Sequence, residues 1–192
     1  MNLSSEQVKL WRQQQRTRFL DERKVISASL RNQWQQYVEQ ETLKFLTRMQ
    51  PGIMAFYLPI RGELDCKPVA EQLIKKGWRT AIPVIREGVK TLTFCEWTPE
   101  TEMTSGVWQI PIPKNEVVLN PDVMIIPLVG FDVKGFRLGY GGGYYDRTVA
   151  AMTNQPLMIG IGLEQSLCET IYPHQYDIAM DIIITENRVL NL

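Results

Sequence analysis

Residues 53–85 read IMAFYLPIRGELDCKPVAEQLIKKGWRTAIPVI. The run opens on seven residues, IMAFYLP (53–59), that are apolar throughout instead of alternating. That pattern belongs to a strand buried on both faces. Asp65 follows as an expected N-cap, and Pro68 sits in the first turn, where a missing N–H does no harm. Val69, Leu73 and Ile74 supply a helical apolar stripe; Lys75 and Lys76 suit the negative end of the helix dipole, and Gly77 a left-handed stop. RTAIPVI (79–85) is a second strand. Strand, helix and strand in this order make a βαβ unit, which requires a parallel pair and a crossover.

Residues 5–20 read as one helix and 22–48 as a second, with Ile26, Leu30, Trp34, Tyr37 and Phe45 on its apolar stripe. TLTFCEW (91–97) alternates as a strand; 98–121, rich in Pro and Thr, reads as a long loop. DVMIIP (122–127), LMIGIG (157–162) and DIIIT (181–185) are further buried strands, and a short helix is expected over 145–152. Strands alternating with helices predict a single domain: an α/β fold, a three-layer α/β/α sandwich with a largely parallel central sheet.

The 192 residues carry 21 basic and 21 acidic side chains, so no nucleic-acid partner is expected. Residues 1–50 are locally basic, a feature open to two readings: a face for an anionic small molecule, or a solvated helix surface. Cys66, Cys95 and Cys168 are widely spaced and odd in number, which fits a reducing compartment better than a disulfide framework. With no apolar leader and no run of membrane-spanning length, a cytoplasmic protein without membrane attachment is expected.

The chemistry concentrates in GFRLGYGGGYYDR (135–147). A glycine loop between a strand and a helix N-terminus offers unpaired backbone N–H groups and the positive end of a dipole, which together make an anion site. Tyr144 stands where GxGxxG needs its last glycine, and no Gly-Lys-Ser/Thr follows, so neither common nucleotide motif applies. His174 has no nucleophile elbow to serve, and a zinc ligand set is missing. Asp146 reads either as a metal ligand beside phosphates or as an N-cap, and Asp177 as a ligand or a turn residue.

The longer run PLVGFDVKGFRLGYGGGYYDR (127–147) resembles the signature of the 5-formyltetrahydrofolate cyclo-ligase family, through Pro127, Phe131-Asp132, Gly135 and Arg137 to Asp146. GELD (62–65), IPV (82–84) and YPHQYDIAMDIIITEN (172–187) extend the likeness. The resemblance implies conversion of 5-formyltetrahydrofolate to 5,10-methenyltetrahydrofolate, with ATP and Mg²⁺ as cofactors, by a monomer whose partner is that small-molecule substrate. It implies that Arg137, Leu138, Gly139, Tyr140, Gly141, Gly142, Gly143, Tyr144 and Tyr145 line the ATP phosphates, and that Tyr140 to Tyr144 also meet the folate. Arg137 and Tyr144 are then the expected catalytic residues, Leu58 and Glu63 bind folate, and Asp146 and Asp177 hold the metal. Near the start, Lys9 and Arg12 are the expected ATP contacts, with Arg16 a rival one turn on. Tyr140 and Gly142 stand where some members carry bases, which shifts phosphate neutralisation toward Arg137, Mg²⁺ and the N-terminal segment. Trp108, in SGVWQIPIP (105–113), either stacks on a ligand ring or covers the core.

Overall fold

The computed structural model describes residues 3–192. Helix α1 (Ser5–Lys24) begins at a capping box: the Ser4 side chain accepts from the Gln7 N–H, and the Gln7 side chain accepts from Ser4 N–H. Helix α2 (Ala28–Leu46) starts at Ser27, whose hydroxyl accepts from Leu30 N–H. The expected helix over 22–48 is therefore corrected. Residues 22–24 belong to α1, and the chain breaks at Val25–Ser27 because Ser27 satisfies the new N-terminus.

The βαβ unit is present as β1 (Ile53–Ala55), α3 (Lys67–Ile74) and β2 (Arg79–Ile85). Cys66, not Asp65, occupies the N-cap of α3; Asp65 sits one residue earlier and accepts from Lys67 N–H at 2.9 Å. Gly77 has the left-handed φ of 87° expected of the stop. Then follow β3 (Leu92–Glu96), β4 (Met103–Ser105), β5 (Pro111–Pro113), β6 (Val123–Pro127), β7 (Gly130–Asp132) and β8 (Arg137–Leu138). Helix α4 (Tyr144–Ala151), β9 (Leu157–Ile161), β10 (Leu167–Cys168), β11 (Ile182–Ile184) and β12 (Val189–Asn191) complete the chain. The stretch expected as a long loop instead contains the antiparallel β4–β5 hairpin.

Seven strands form the main sheet in the order β12-β11-β9-β6-β1-β2-β3. Its five inner strands run parallel; β3 and β12 close the two edges antiparallel. Successive side chains of a strand point to opposite faces, and each face is buried. Met54, Val123, Ile125, Ile159 and Ile182 enter one core with Val38 and Leu46 of α2 and Val69 and Leu73 of α3. Ala55, Met124, Ile126, Met158 and Ile183 enter the other with Val149 of α4. Two-sided burial is why these strands read as continuous apolar runs. A third cluster seats α1 through Phe19 against Val129, Leu138 and Ile171 beside the small sheet β10-β7-β8. The three cysteines are free thiols. Among the described residues no helix is long and apolar enough to cross a membrane.

Candidate active site

The strand order sets the location. From β1 the chain moves to β2 on one side and later to β6 on the other, so the strand order reverses between β1 and β6. In open α/β sheets, connections leaving the carboxyl ends of such a pair diverge and leave a crevice. A cleft of about 580 Å³ opens there. Leu58 and Glu63 line it beyond β1, Pro83 and Ile85 on β2, and Pro127 at the end of β6. Arg12 and Arg16 of α1 and Trp108 of the β4–β5 hairpin form further walls.

The glycine loop crosses this cleft and enters α4. Gly143 is the N-cap residue, with φ 62°, and no side chain caps the helix. The first backbone N–H groups of α4 therefore keep their donor capacity and the positive end of the helix dipole. Gly141 also holds a left-handed φ, 98°. A Cβ on Gly142 would lie 2.8 Å from the Tyr144 ring, whereas one on Gly139 would meet no atom within 4 Å. Bare backbone thus faces open space at Gly139.

The charged groups are tethered around the loop. Arg137 lies in β8, where its neighbour Leu138 turns the other way, into the core. One Nη of Arg137 donates to the Ile178 carbonyl at 2.9 Å, and the other pairs with Asp146 at 2.9 Å. Asp146 closes the ring by accepting from Ile178 N–H at 3.0 Å. Asp177 accepts from Arg12 and from His174 N–H, and Arg12 also donates to the Ile171 carbonyl. Arg16 donates from Nε to the Gly139 carbonyl at 2.6 Å. Burial, then the neighbouring Arg12, hold the Arg16 guanidinium below its usual value, and Asp177 opposes them.

At the far side of the loop, Glu63 accepts from Ile60 N–H at 2.9 Å and from the Tyr140 hydroxyl at 2.7 Å. Burial raises the Glu63 carboxyl; the Ile60 N–H, Tyr140, Arg23 and Arg61 pull it back. The Arg61 guanidinium lies 5.5 Å from the Tyr140 ring centroid. Trp108 stands edge-on to Tyr144, 6.2 Å between centroids, 69% exposed and with a left-handed φ of 54°. A bulky residue held in that region is strained, and such strain concentrates at ligand sites.

The cleft brings together Arg12, Leu58, Glu63, Arg137, Gly139 through Asp146, and Asp177. Two expected residues lie elsewhere. Lys9 is exposed on α1 away from the cleft walls, and Arg16 occupies the cleft instead. Leu138 packs on Phe19, Val129 and Ile171, and its carbonyl accepts from Val129 N–H. The sequence reading missed Tyr57, Arg61 and Ile110 on the cleft wall. Tyr57 lies in a run that reads as buried strand and Ile110 in one that reads as loop, and Arg61 reads as an ordinary surface charge.

The model of the 5-formyltetrahydrofolate cyclo-ligase family matches residues 8–186. The chain is 31% identical to the 5-formyltetrahydrofolate cyclo-ligase of Haemophilus influenzae over 185 residues, which is 90% of this chain and 97% of that relative. It is 33% identical to the one of Escherichia coli K12 over 168 residues, 81% of this chain and 91% of that relative. The NMR structure of Aquifex aeolicus 5,10-methenyltetrahydrofolate synthetase superposes with a TM-score of 0.80 at 25% identity, covering 94% of this chain and 92% of the other. With its signature loop set at the crevice of the sheet, the chain belongs to the 5-formyltetrahydrofolate cyclo-ligase family.

Proposed function

We propose that the protein converts 5-formyltetrahydrofolate to 5,10-methenyltetrahydrofolate with ATP as phosphoryl donor and Mg²⁺ held at Asp146 and Asp177. In the reaction the formyl oxygen takes the terminal phosphoryl group and ADP leaves. N10 then bonds to the activated carbon, releasing its proton, and phosphate departs as the C=N bond forms. One observation supports this reading above the others: a single cleft joins an uncapped helix N-terminus with bare backbone to a half-buried carboxylate that faces a tyrosine hydroxyl.

The residues fit both ligands. Phosphoryl transfer asks the protein mainly for positioning and charge neutralisation. The N–H groups opening α4 are donors for phosphate oxygens, and Arg137, fixed by Ile178 and Asp146, presents its remaining donors from one place. Glu63 is the acceptor for N–H groups of a pterin edge, with Tyr140 and Leu58 beside it. Trp108 and Tyr144, edge-on to each other on the cleft wall, add apolar ring surface there. Among the described residues no group of three His, Cys, Asp or Glu side chains is placed to cage a metal. Two carboxylates on one cleft suit Mg²⁺, which commonly binds through one or two protein carboxylates plus phosphate oxygens, and there it supplies charge neutralisation.

The test is direct. The protein is incubated with 5-formyltetrahydrofolate, ATP and Mg²⁺ while methenyl-folate absorbance is followed. Product that requires all three is expected; a folded sample that yields none refutes the reading.

A further inference from the structure

Arg23 continues the face of α1 that carries Arg12, Arg16 and Phe19, but unlike the first two it is buried, 3% exposed. One Nη donates to the Leu128 carbonyl at 2.8 Å. The other, Nη1, is buried without a hydrogen-bond partner among the described residues. An ionised donor left alone in the interior bears its full desolvation cost, so it calls for a physical reason. The side chain runs beneath the turn that carries Glu63: its Cγ is 3.4 Å from where a Cβ of Gly62 would stand, and Gly62 has a φ of 77°. Arg31 fastens the same two pieces, donating to the carbonyls of Arg23 and Gly62. Between them lies a cavity of about 10 Å³ bounded by Arg23, Tyr57, Glu63, Leu128 and further apolar neighbours, the smallest space that holds one water.

We infer that Arg23 is a positioning residue that keeps Glu63 an ionised, correctly aimed acceptor for the folate ring, acting through a water in this cavity. The inference rests on the proposed role of Glu63 in folate binding. A carboxylate offers about four acceptor sites. Ile60 N–H and the Tyr140 hydroxyl use two, which leaves capacity for the water and for substrate. The groups around Glu63 are Arg23 from α1, Tyr57, Arg61, Asp65 and Cys66 from its own segment, and Tyr140 and Tyr145 from the other side. Burial pushes the Tyr57 hydroxyl up and the Cys66 thiol up to about 12, so both stay neutral. The positive charges are Arg23 and Arg61, with Arg31 of α2 held at the neighbouring Gly62 carbonyl. Arg61 is exposed and screened by salt; Arg23 is buried and is not.

The sign follows. Burial favours the neutral acid form of Glu63, and the Arg23 charge opposes it. Removing that charge lets Glu63 protonate at higher pH, so folate recognition is lost sooner as pH falls. Arg23→Gln removes the charge and retains a donor for Leu128; Arg23→Lys retains the charge. The first readout is the carboxyl titration of Glu63 by ¹³C NMR in the ligand-free protein, assigned by its disappearance in Glu63→Gln. The midpoint is expected to move up in Arg23→Gln and to stay near the wild-type value in Arg23→Lys; no movement in Arg23→Gln overturns the inference. The second is the folate KM, expected to rise about tenfold at the acidic end of the range, as when one neighbouring opposite charge is lost, and to recover at the alkaline end while the ATP KM holds. A uniform loss at every pH marks a merely structural residue and overturns it. If the titration midpoint moves but the folate profile does not, Arg23 stands and the folate role of Glu63 falls. Should Arg23→Gln fail to fold, the Arg23 guanidinium resonances of the unaltered protein decide. They must titrate with the Glu63 midpoint, and their indifference refutes the coupling.

Discussion

Gly139→Ala separates what the folded chain needs from what the ligand needs. A methyl group at Gly139 meets no atom of the described residues within 4 Å, and the residue lies outside the left-handed region, so the substitution adds neither clash nor backbone strain. By itself, losing glycine's freedom in the unfolded chain favours the folded state by about 0.4–1 kcal/mol. The melting temperature should hold or rise slightly. If phosphate oxygens pack against this backbone, however, the methyl occupies their space, and overpacking of that kind costs about 1–3 kcal/mol. In binding terms that is a rise of about 5- to 150-fold in the ATP KM, with the folate KM little changed. Steady-state kinetics at saturating folate and calorimetric titration with Mg·ATP read the effect; a thermal melt reads the fold. A normal ATP KM in a protein of unchanged stability refutes backbone approach at Gly139. Gly143→Ala is a poorer experiment. Its φ of 62° and the Arg147 Nη1 only 2.9 Å from the new Cβ cost the protein about 1–2 kcal/mol on strain alone, which confounds fold with ligand.

Arg16→Gln should raise the ATP KM about tenfold, the loss of one charge-assisted hydrogen bond, while Lys9→Gln leaves it within about twofold of wild type, since Lys9 is exposed away from the cleft. The reverse ranking would put the nucleotide on another face of α1. Asp146→Asn should raise the Mg²⁺ concentration for half-maximal rate. It should also lower stability by about 1–3 kcal/mol, because the Arg137 side chain is only 6% exposed and loses its ionic partner. Unchanged Mg²⁺ dependence alongside lowered stability would reduce Asp146 to a tether for Arg137.

The sheet was legible because parallel strands covered on both faces must be apolar at every position, and 53–55, 123–127, 157–161 and 182–184 are so. The glycine loop was legible because glycine in such density has a backbone reason. Other features depend on contacts that no local pattern encodes. The break at Val25–Ser27 is decided by one hydroxyl, in a segment that contains no glycine or proline. The β4–β5 hairpin has three-residue strands and prolines at 111 and 113, which read as loop; its lone pairing leaves room for residues without ladder donors. Leu138 sits next to Arg137 in the motif, yet a strand sends neighbours to opposite sides, so one faces the cleft and the other the core. Glu63 and Tyr140 meet across 77 residues, a contact that follows from the fold as a whole.

The charge balance explains why so glycine-rich a loop needs help from outside itself. Its two bases are Arg137 and Arg147, and Arg147 is directed at the carbonyls of Lys90 and Gly142. Arg137 is matched by Asp146, as Arg12 is by Asp177. Arg16 is the cleft guanidinium that faces a carbonyl in place of a carboxylate, and burial beside Arg12 already disfavours its charged form. At the proposed phosphate end three guanidiniums therefore oppose two carboxylates, one net positive charge against the several negative charges that a triphosphate would bring. An anion arriving there relieves the crowding of Arg12 and Arg16, but the remaining deficit is of the size a divalent cation supplies. The pairing of each carboxylate with an arginine also means that a cation drawn to Asp146 or Asp177 competes with a guanidinium, and a displaced guanidinium still faces the cleft. If ATP and Mg²⁺ bind here as proposed, they reinforce each other: each lowers the electrostatic cost of seating the other, and ATP affinity should fall steeply when Mg²⁺ is withdrawn.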